Sequence, residues 1–228
     1  MSRLGPRIAS LVPSVTELVV ALGLRERLVA RTGFCIHPRD VLLAVPKVGG
    51  TKDVQIDRLR ALAPTHAIVN VDENRLDQVQ ALREFVPEVI VTHPNGPRDN
   101  LALLEQMVAA FGDEPGVVLR AASLRDELER ELAVTASKRR AWPEQRVLYL
   151  IWRGPWMTVA RDTYISAMLA TVNWRTQPDA TGGPAADGAG AGEVVIHLPA
   201  HRRNLADDGV AQIGAFGHGF VHQHRHGS

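Results

Sequence analysis

Short β-branched runs alternate with amphipathic segments along the first half of the chain. This pattern predicts a parallel sheet covered by helices, because consecutive parallel strands need a crossover connection between them. Two amphipathic segments predict helices at Gln55–Leu62 and Arg75–Phe85, each stopped by a proline that follows it. The apolar runs predict strands at Arg7–Val12, Leu28–Thr32, His66–Val71 and Glu88–Thr92.

The segment from Ser14 to Leu22 carries the start and stop signals of a further helix. Ser14 is predicted to cap the first turn, Glu17 to return a hydrogen bond to the Ser14 amide, and Gly23 to end the helix. The sequence has no GxSxG turn ahead of a helix. Ser14 is therefore interpreted as a helix cap rather than as a catalytic nucleophile.

A longer helical pattern follows the first half of the chain. Its spacing predicts helices over Asn100–Phe111 and from Pro115 to about Arg140. At a rise of ~1.5 Å per residue, the second helix would span about 40 Å. Periodicity leaves two interpretations open, a helix that connects two lobes or an ordinary long surface helix. The apolar stripe of this helix consists of Val117, Ala121, Leu124, Leu128 and Leu132.

The α/β pattern restarts after Pro143. Apolar runs predict strands at Arg146–Trp152 and Trp156–Val159. A helix is predicted next, capped by Asp162 and running to about Val172. The chain is therefore predicted to have a second α/β region. The alternation of strands and helices stops after this helix.

Residues 177–228 differ in composition from the rest of the chain. They hold 10 of the 19 glycines and 6 of the 9 histidines, and Glu193–Leu198 is the one segment in them that the pattern predicts as a strand. The protein has 3 lysines against 23 arginines, a bias typical of GC-rich coding sequence. We hypothesise that this tail results from a frameshift or a degraded end of the gene. One expectation is that residues 177–228 are disordered.

Charge and composition exclude several classes of function. The chain has 26 basic and 25 acidic residues, so no global field attracts nucleic acid or an anionic membrane. A single cysteine excludes an internal disulfide framework. No apolar run approaches the ~20 residues of a membrane span, and the first residues lack the apolar region of a signal peptide. The expected location is the cytoplasm, or the periplasm if an upstream start codon was missed.

Few motifs point to catalysis or to a metal. No GxxxxGK[ST] and no GxGxxG after a strand is present, which argues against a nucleotide enzyme. Cys35 and His37 lie in a loop after the second predicted strand, where they are candidate ligands for a metal such as zinc; a loop cysteine beside a surface histidine is the alternative. His66 and His93 are interpreted as structural histidines. The cluster from His218 to His226 is interpreted as accidental.

The carboxyl ends of parallel strands are the expected place for a ligand. In the first region these loops contain Ser14, Phe34 to His37 and the turn from Gly49 to Asp53. In the second region, Trp152, Arg153 and Trp156 follow a strand. Aromatic faces beside a guanidinium suit a large, flat ligand that is partly apolar and partly anionic. The alternative is that both tryptophans close the core of their own lobe.

Two stretches of the first region resemble a known family. They read RIASLVPSVTELVVALGL at Arg7–Leu24 and VPKVGGTKDVQIDRLRALAPTHAIV at Val45–Val69. They are similar to the amino lobe of the helical-backbone metal receptor group of periplasmic-binding-protein-like proteins. This group includes the cobalamin-binding and ferric-siderophore-binding components of ABC importers. The resemblance covers about residues 7 to 175 and is strongest to the cobalamin-binding branch.

The resemblance implies a fold and a domain organisation. The implied fold class is α/β, with two parallel-sheet lobes joined by one long backbone helix and a second lobe that is incomplete. Residues 1–112 would form the N-terminal lobe and residues 113–142 the connecting helix. Residues 143–176 would begin the C-terminal lobe, and residues 177–228 would be the atypical tail.

The resemblance also implies a function, namely binding of cobalamin or a related metal chelate, such as haem or a ferric siderophore, in an interlobe cleft without catalysis. Asp57 matches an acidic position by which such proteins dock onto the permease of an ABC transporter. Two alternatives stay open, a cytoplasmic accessory or salvage protein of corrinoid metabolism and a nonfunctional truncated remnant. The implied ligand-binding residues are Ser14, Phe34, Cys35, Thr51, Trp152, Arg153, Trp156 and Arg161.

Overall fold

The computed structural model describes residues 5–152 and 156–181, together with the backbone of two further strands at 193–196 and 211–214. The chain divides into two compact units. The first unit comprises Met1–Pro94 and Arg98–Glu131, and the second comprises Asn95–Pro97 and Leu132–Ser228. Each unit contains its own β-sheet.

The sheet of the first unit is entirely parallel, as predicted. Its strands lie in the order β2-β1-β3-β4. The middle pairing aligns Ile8 of β1 with His66 of β3, and β3 in turn pairs along its whole length with β4. The strands are β1 (Ile8–Ser10), β2 (Leu28–Arg31), β3 (His66–Asn70) and β4 (Glu88–Thr92).

Helices cover both faces of this sheet. The helices that precede the long one are α1 (Pro13–Ala21), α2 (Arg39–Leu42), α3 (Ile56–Ala61), α4 (Leu76–Arg83) and α5 (Asn100–Phe111). Side chains alternate along β1, so that Ile8 joins one buried cluster with α1 and α5 while Ala9 joins the opposite cluster with α3 and α4. The buried runs of β-branched and small residues in these strands are explained by this two-sided covering.

The first helix begins differently from the prediction. Helix α1 starts at Pro13, Val12 is the cap residue, and no side chain caps the helix. The expected Ser14 cap is therefore wrong, because Pro13 occupies the first helical position, where its missing N–H and fixed φ are favourable. The predicted end is confirmed. Gly23 has a φ of +81°, and its N–H donates to the Val20 carbonyl at 2.9 Å.

The long helix α6 spans Val117–Arg139 and has 23 residues, which corresponds to about 35 Å. The boundary between the two units falls inside it, after Glu131. In its apolar stripe, Val117 and Ala121 are buried. The other three residues of the stripe, Leu124, Leu128 and Leu132, are half-buried. Most of the helix surface is therefore in contact with solvent.

The second unit has a mixed sheet in the order β7-β5-β6-β8, with β9 also paired to β5. Strands β7 and β9 run parallel to β5, whereas β6 is antiparallel to both β5 and β8. A parallel sheet was predicted in this unit, and the antiparallel pairs of β6 contradict that prediction. Too few residues separate β5 from β6 for the crossover that a parallel pair requires. The strands are β5 (Gln145–Trp152), β6 (Trp156–Val159), β7 (Trp174–Thr176), β8 (Glu193–Ile196) and β9 (Ala211–Gly214).

Helix α7 (Tyr164–Ala170) starts one residue later than predicted. Its cap is Thr163, whose Oγ1 accepts the Ser166 N–H at 3.3 Å, so the expected cap at Asp162 is wrong. Thr163 has the extended backbone that a cap requires, and its hydroxyl lies within reach of the first turn.

The tail contains more regular structure than the pattern predicts. Strand β8 confirms the segment expected around Glu193, whereas β9 contradicts the expectation that this segment alone forms a strand. The apolar pattern of β9 is too short to be recognised by periodicity, and the strand forms as a parallel partner of β5. The tail residues beyond 181 other than β8 and β9, including the cluster from His218 to His226, lie outside the described residues, and the frameshift hypothesis stays a prediction.

Candidate functional site

The topology of the first sheet places a switch point at its carboxyl edge. After β1 the chain enters α1, whose Val15 and Val19 pack in the cluster on one face of the sheet. After β3 it enters α4, whose Val79 and Leu82 pack in the cluster on the other face. Strands β1 and β3 are neighbours, so their outgoing loops diverge. Ligands bind in open parallel sheets at such a switch point, outside the carboxyl ends of the strands.

Asn74 joins three chain segments at this edge of the sheet. Its Oδ1 accepts the Asn70 N–H at 2.8 Å, at the end of β3. Its Nδ2 donates to the Thr51 carbonyl at 2.8 Å and lies 3.4 Å from the Leu11 carbonyl, in the loop after β1. The Asn70 side chain orders the same turn, because its Oδ1 accepts the Asp72 N–H at 2.8 Å.

Hydrogen bonds from the Arg31 side chain stabilise the loop after β2. This buried guanidinium donates to the Leu42 carbonyl at 3.0 Å and to the Cys35 carbonyl at 3.0 Å. The loop presents two apolar side chains to solvent, Phe34 with 42% of its surface exposed and Ile36 with 45%. A buried cation thus fixes a loop whose outer surface is apolar.

A tight turn lies next to this loop. The Gly33 N–H donates to the Gly49 carbonyl at 2.7 Å, which links the loop after β2 to the turn from Gly49 to Asp53. Gly49 has a φ of +99°, and a Cβ at this position would collide with the Asp53 carbonyl oxygen. Only glycine fits this position without strain.

The structure does not assemble a metal site around Cys35 and His37. The Cys35 thiol is 1% exposed and lies 3.1 Å from the Thr32 hydroxyl, whereas His37 is exposed. No group of three or more histidine, cysteine, aspartate or glutamate side chains that could hold a metal ion occurs among the described residues. Cys35 is therefore part of the packing beneath the loop.

The other predicted residues of the first unit lie at different depths. Ser14 is exposed on the first turn of α1, and Thr51 is almost buried, with its carbonyl engaged by Asn74. Asp57 is exposed on the first turn of α3. The structure thus places Ser14 at the start of α1, and Phe34 and Thr51 in loops, at the carboxyl edge of one sheet.

His66 and His93 in the first unit have polar partners, as predicted for structural histidines. His66 lies between Thr65 Oγ1, at 2.8 Å from its Nδ1, and Glu88 Oε2, at 3.2 Å from its Nε2. His93 Nε2 lies 3.4 Å from the Asp72 carboxylate. Both imidazoles therefore already have polar partners.

In the second unit, β5 ends at Trp152, which is 64% exposed. Trp156 begins β6 and is half-buried. The alternative in which both tryptophans close the core is therefore wrong for Trp152. Arg153 lies outside the described residues.

Arg161 is engaged by a carboxylate, because its Nη1 lies 3.1 Å from Asp179 Oδ1. It also lines a cavity of about 580 Å³ beside α7 and β7. On β5, which does not contain Arg161, burial raises the pKa of the Tyr149 phenol above its usual value of 10.0. An anionic ligand would have to compete with Asp179 for the Arg161 guanidinium.

Asn74, Asn70 and Arg31 were not identified as functional residues from the sequence. Arg31 and Asn70 are each the last residue of a strand, directly after a run of three apolar residues. A polar residue at that position was an available signal, because side chains at a strand's carboxyl end lie beside the expected ligand site. The role of Asn74 had no such signal, because its partners Leu11 and Thr51 are distant in sequence.

Comparison with known proteins identifies the family. The model of the periplasmic binding protein family matches residues 8–186. The chain belongs to this family. A vitamin B12-binding protein of Vibrio parahaemolyticus serotype O3:K6 (strain RIMD 2210633) is 26% identical over 161 residues, covering 70% of this chain and 56% of the relative. The chain thus spans just over half the length of that curated relative.

Solved structures of this family share the fold. The periplasmic vitamin B12 binding protein BtuF of Vibrio cholerae has a TM-score of 0.71 and 18% identity, and the match covers 85% of this chain and 71% of that one. The periplasmic heme-binding protein RhuT from Roseiflexus sp. RS-1 has a TM-score of 0.68 and 22% identity, with the same coverage. The α/β fold expected from the resemblance is therefore confirmed.

Proposed function

We propose that the protein is the substrate-binding component of an ABC importer. Its proposed ligand is cobalamin or a related metal chelate, haem or a ferric siderophore, which it binds without chemical turnover. The observation that carries this proposal is the family match over residues 8–186, combined with apolar side chains exposed at the carboxyl edge of the first sheet. A partly apolar chelate ring would bury these side chains on binding.

The relatives support this class of ligand. The similar protein from Vibrio parahaemolyticus is a vitamin B12-binding protein, and the similar structures include proteins that bind vitamin B12 or heme. Both ligands are large, flat metal chelates with apolar and anionic parts. The surfaces described here suit such molecules, with Phe34 and Ile36 in the first unit and Trp152 in the second.

The proposed partner is an ABC transporter permease. Asp57 is exposed on α3 and is available for docking to a basic surface of the permease. No described helix combines the length and apolarity needed to cross a bilayer. The location of the protein in the cell stays a prediction, and fractionation of cells that express the tagged protein from its native gene will test it.

Absorption spectroscopy of the purified protein tests the proposed ligand class. The protein is incubated separately with cyanocobalamin, haemin and a ferric siderophore, and free ligand is removed by gel filtration. One of these chelates should remain bound at close to one per chain, with a shifted absorption band. A folded protein that retains none of the three would contradict the proposal, and equal retention by the heat-denatured protein would show that the uptake is nonspecific.

A further inference from the structure

The Asn74 side chain connects segments that are far apart in sequence. It is 8% exposed, and it bonds to Asn70 at the end of β3, to the Thr51 carbonyl in the turn before α3, and to the Leu11 carbonyl in the loop after β1. The partners lie 4, 23 and 63 residues away. A buried carboxamide with every polar atom engaged holds its partners in one arrangement, because breaking a contact leaves a buried group unsatisfied.

Local secondary structure does not account for this side chain. Helix α4 begins at Leu76 with Arg75 as its cap residue, and no side chain caps it. Asn74 therefore does not serve the helix that follows it. Both groups that its amide nitrogen reaches are carbonyls of loops at the carboxyl edge of the sheet.

We propose that Asn74 is a positioning residue for ligand binding. Its carboxamide fixes the Thr51 turn against the loop after β1 before the ligand arrives, and this pre-ordering lowers the entropic cost of binding. The inference rests on the proposed function for its ligand. It also assigns Thr51 a role through its backbone carbonyl, which Asn74 holds, rather than through its nearly buried side chain.

Substitution Asn74→Asp keeps the hydrogen bond that residue 74 accepts and removes those that it donates. An aspartate still accepts the Asn70 N–H, but its second oxygen faces the Thr51 and Leu11 carbonyls and cannot donate to them when ionised. The matched control is Thr65→Val. It removes the acceptor of the Arg7 N–H, a bond of 2.8 Å at the opposite, amino end of β3. Asn74→Ser, which introduces no charge, replaces Asn74→Asp if that variant does not fold.

Two measurements are made on the full chain. Hydrogen exchange of the ligand-free protein follows peptides that cover Val48 to Gln55, and titrations with cyanocobalamin and with haemin measure affinity. Asn74→Asp should speed exchange in this segment and weaken binding by about tenfold or more, because the buried Thr51 and Leu11 carbonyls lose their donor and face an ionised carboxylate instead. Thr65→Val should leave exchange of the segment and affinity close to wild type.

The outcomes separate this inference from the proposed function. Wild-type exchange and affinity in Asn74→Asp, faster exchange without weaker binding, or an equal loss of affinity in Thr65→Val would each overturn the positioning role. A wild-type protein that binds neither probe, and retains no ferric siderophore in the absorption test, would instead overturn the proposed ligand class and the part of this inference that concerns ligand binding. Exchange in Asn74→Asp would then still decide whether Asn74 holds the Thr51 turn.

Discussion

Replacement of Phe34 by alanine tests whether the loop after β2 contacts the ligand. The ring is 42% exposed, so a ligand that covers it removes this part of its surface from water. A phenylalanine side chain offers ~200 Å² in all, which leaves ~80 Å² for the ligand to bury. At ~25 cal/mol per Å², this contact contributes ~2 kcal/mol to binding, or about 30-fold in affinity.

Isothermal titration of wild type and Phe34→Ala with the chelate retained by the wild-type protein measures this difference. Leu119→Ala is the matched control, because Leu119 is an exposed apolar residue on α6 rather than in the strand-end loops. Circular dichroism and thermal melting check that both variants remain folded. If Phe34→Ala bound with wild-type affinity, or if Leu119→Ala lost as much affinity, the assignment of this loop to the ligand site would be wrong.

Three further predictions concern stability, ionisation and docking. Gly23→Ala should lower the free energy of unfolding by ~1 kcal/mol in urea titrations, since Gly23 has a φ of +81°; Gly33→Ala, without a left-handed φ, should cost less. Burial raises the pKa of Tyr149 above 10.0, so the folded state retains this proton more tightly, and stability should fall as the pH rises above about 10; Tyr149→Phe should remove that part of the fall. Asp57→Ala should reduce permease-dependent uptake of the chelate and leave its affinity in solution unchanged, whereas a loss of affinity would argue against a docking role.

The parts of the fold that local patterns determine were predictable from the sequence. Strands β4 and β6 and helix α5 have the predicted bounds, because clear apolar patterns and flanking turn residues define them. Strand β7 was missed because its three residues carry no periodicity, and it forms by pairing with β5. Helix starts were shifted because a proline in one case and a neighbouring threonine in the other compete with the expected cap.

The candidate site was predictable in outline but not in its supporting contacts. The rule that ligands bind at the carboxyl ends of parallel strands pointed to Ser14, Phe34 and Thr51, which follow β1 and β2 of the first sheet at that edge; their role in ligand binding stays a prediction. It could not show that the Cys35 thiol is directed inward, because this depends on its packing against Thr32. Nor could it reveal Asn74, whose contacts exist only once distant loops have come together.

The titration that tests the central claim most directly uses wild type and Trp152→Ala with cyanocobalamin, haemin and a ferric siderophore. Trp152 is 64% exposed, so a ligand that covers the indole should quench its fluorescence. The account predicts saturable binding of one of these chelates at one per chain, and weaker binding with a smaller quench in Trp152→Ala. A folded wild-type protein that shows no saturable binding of any of the three chelates, or a variant with unchanged affinity and quench, would contradict it.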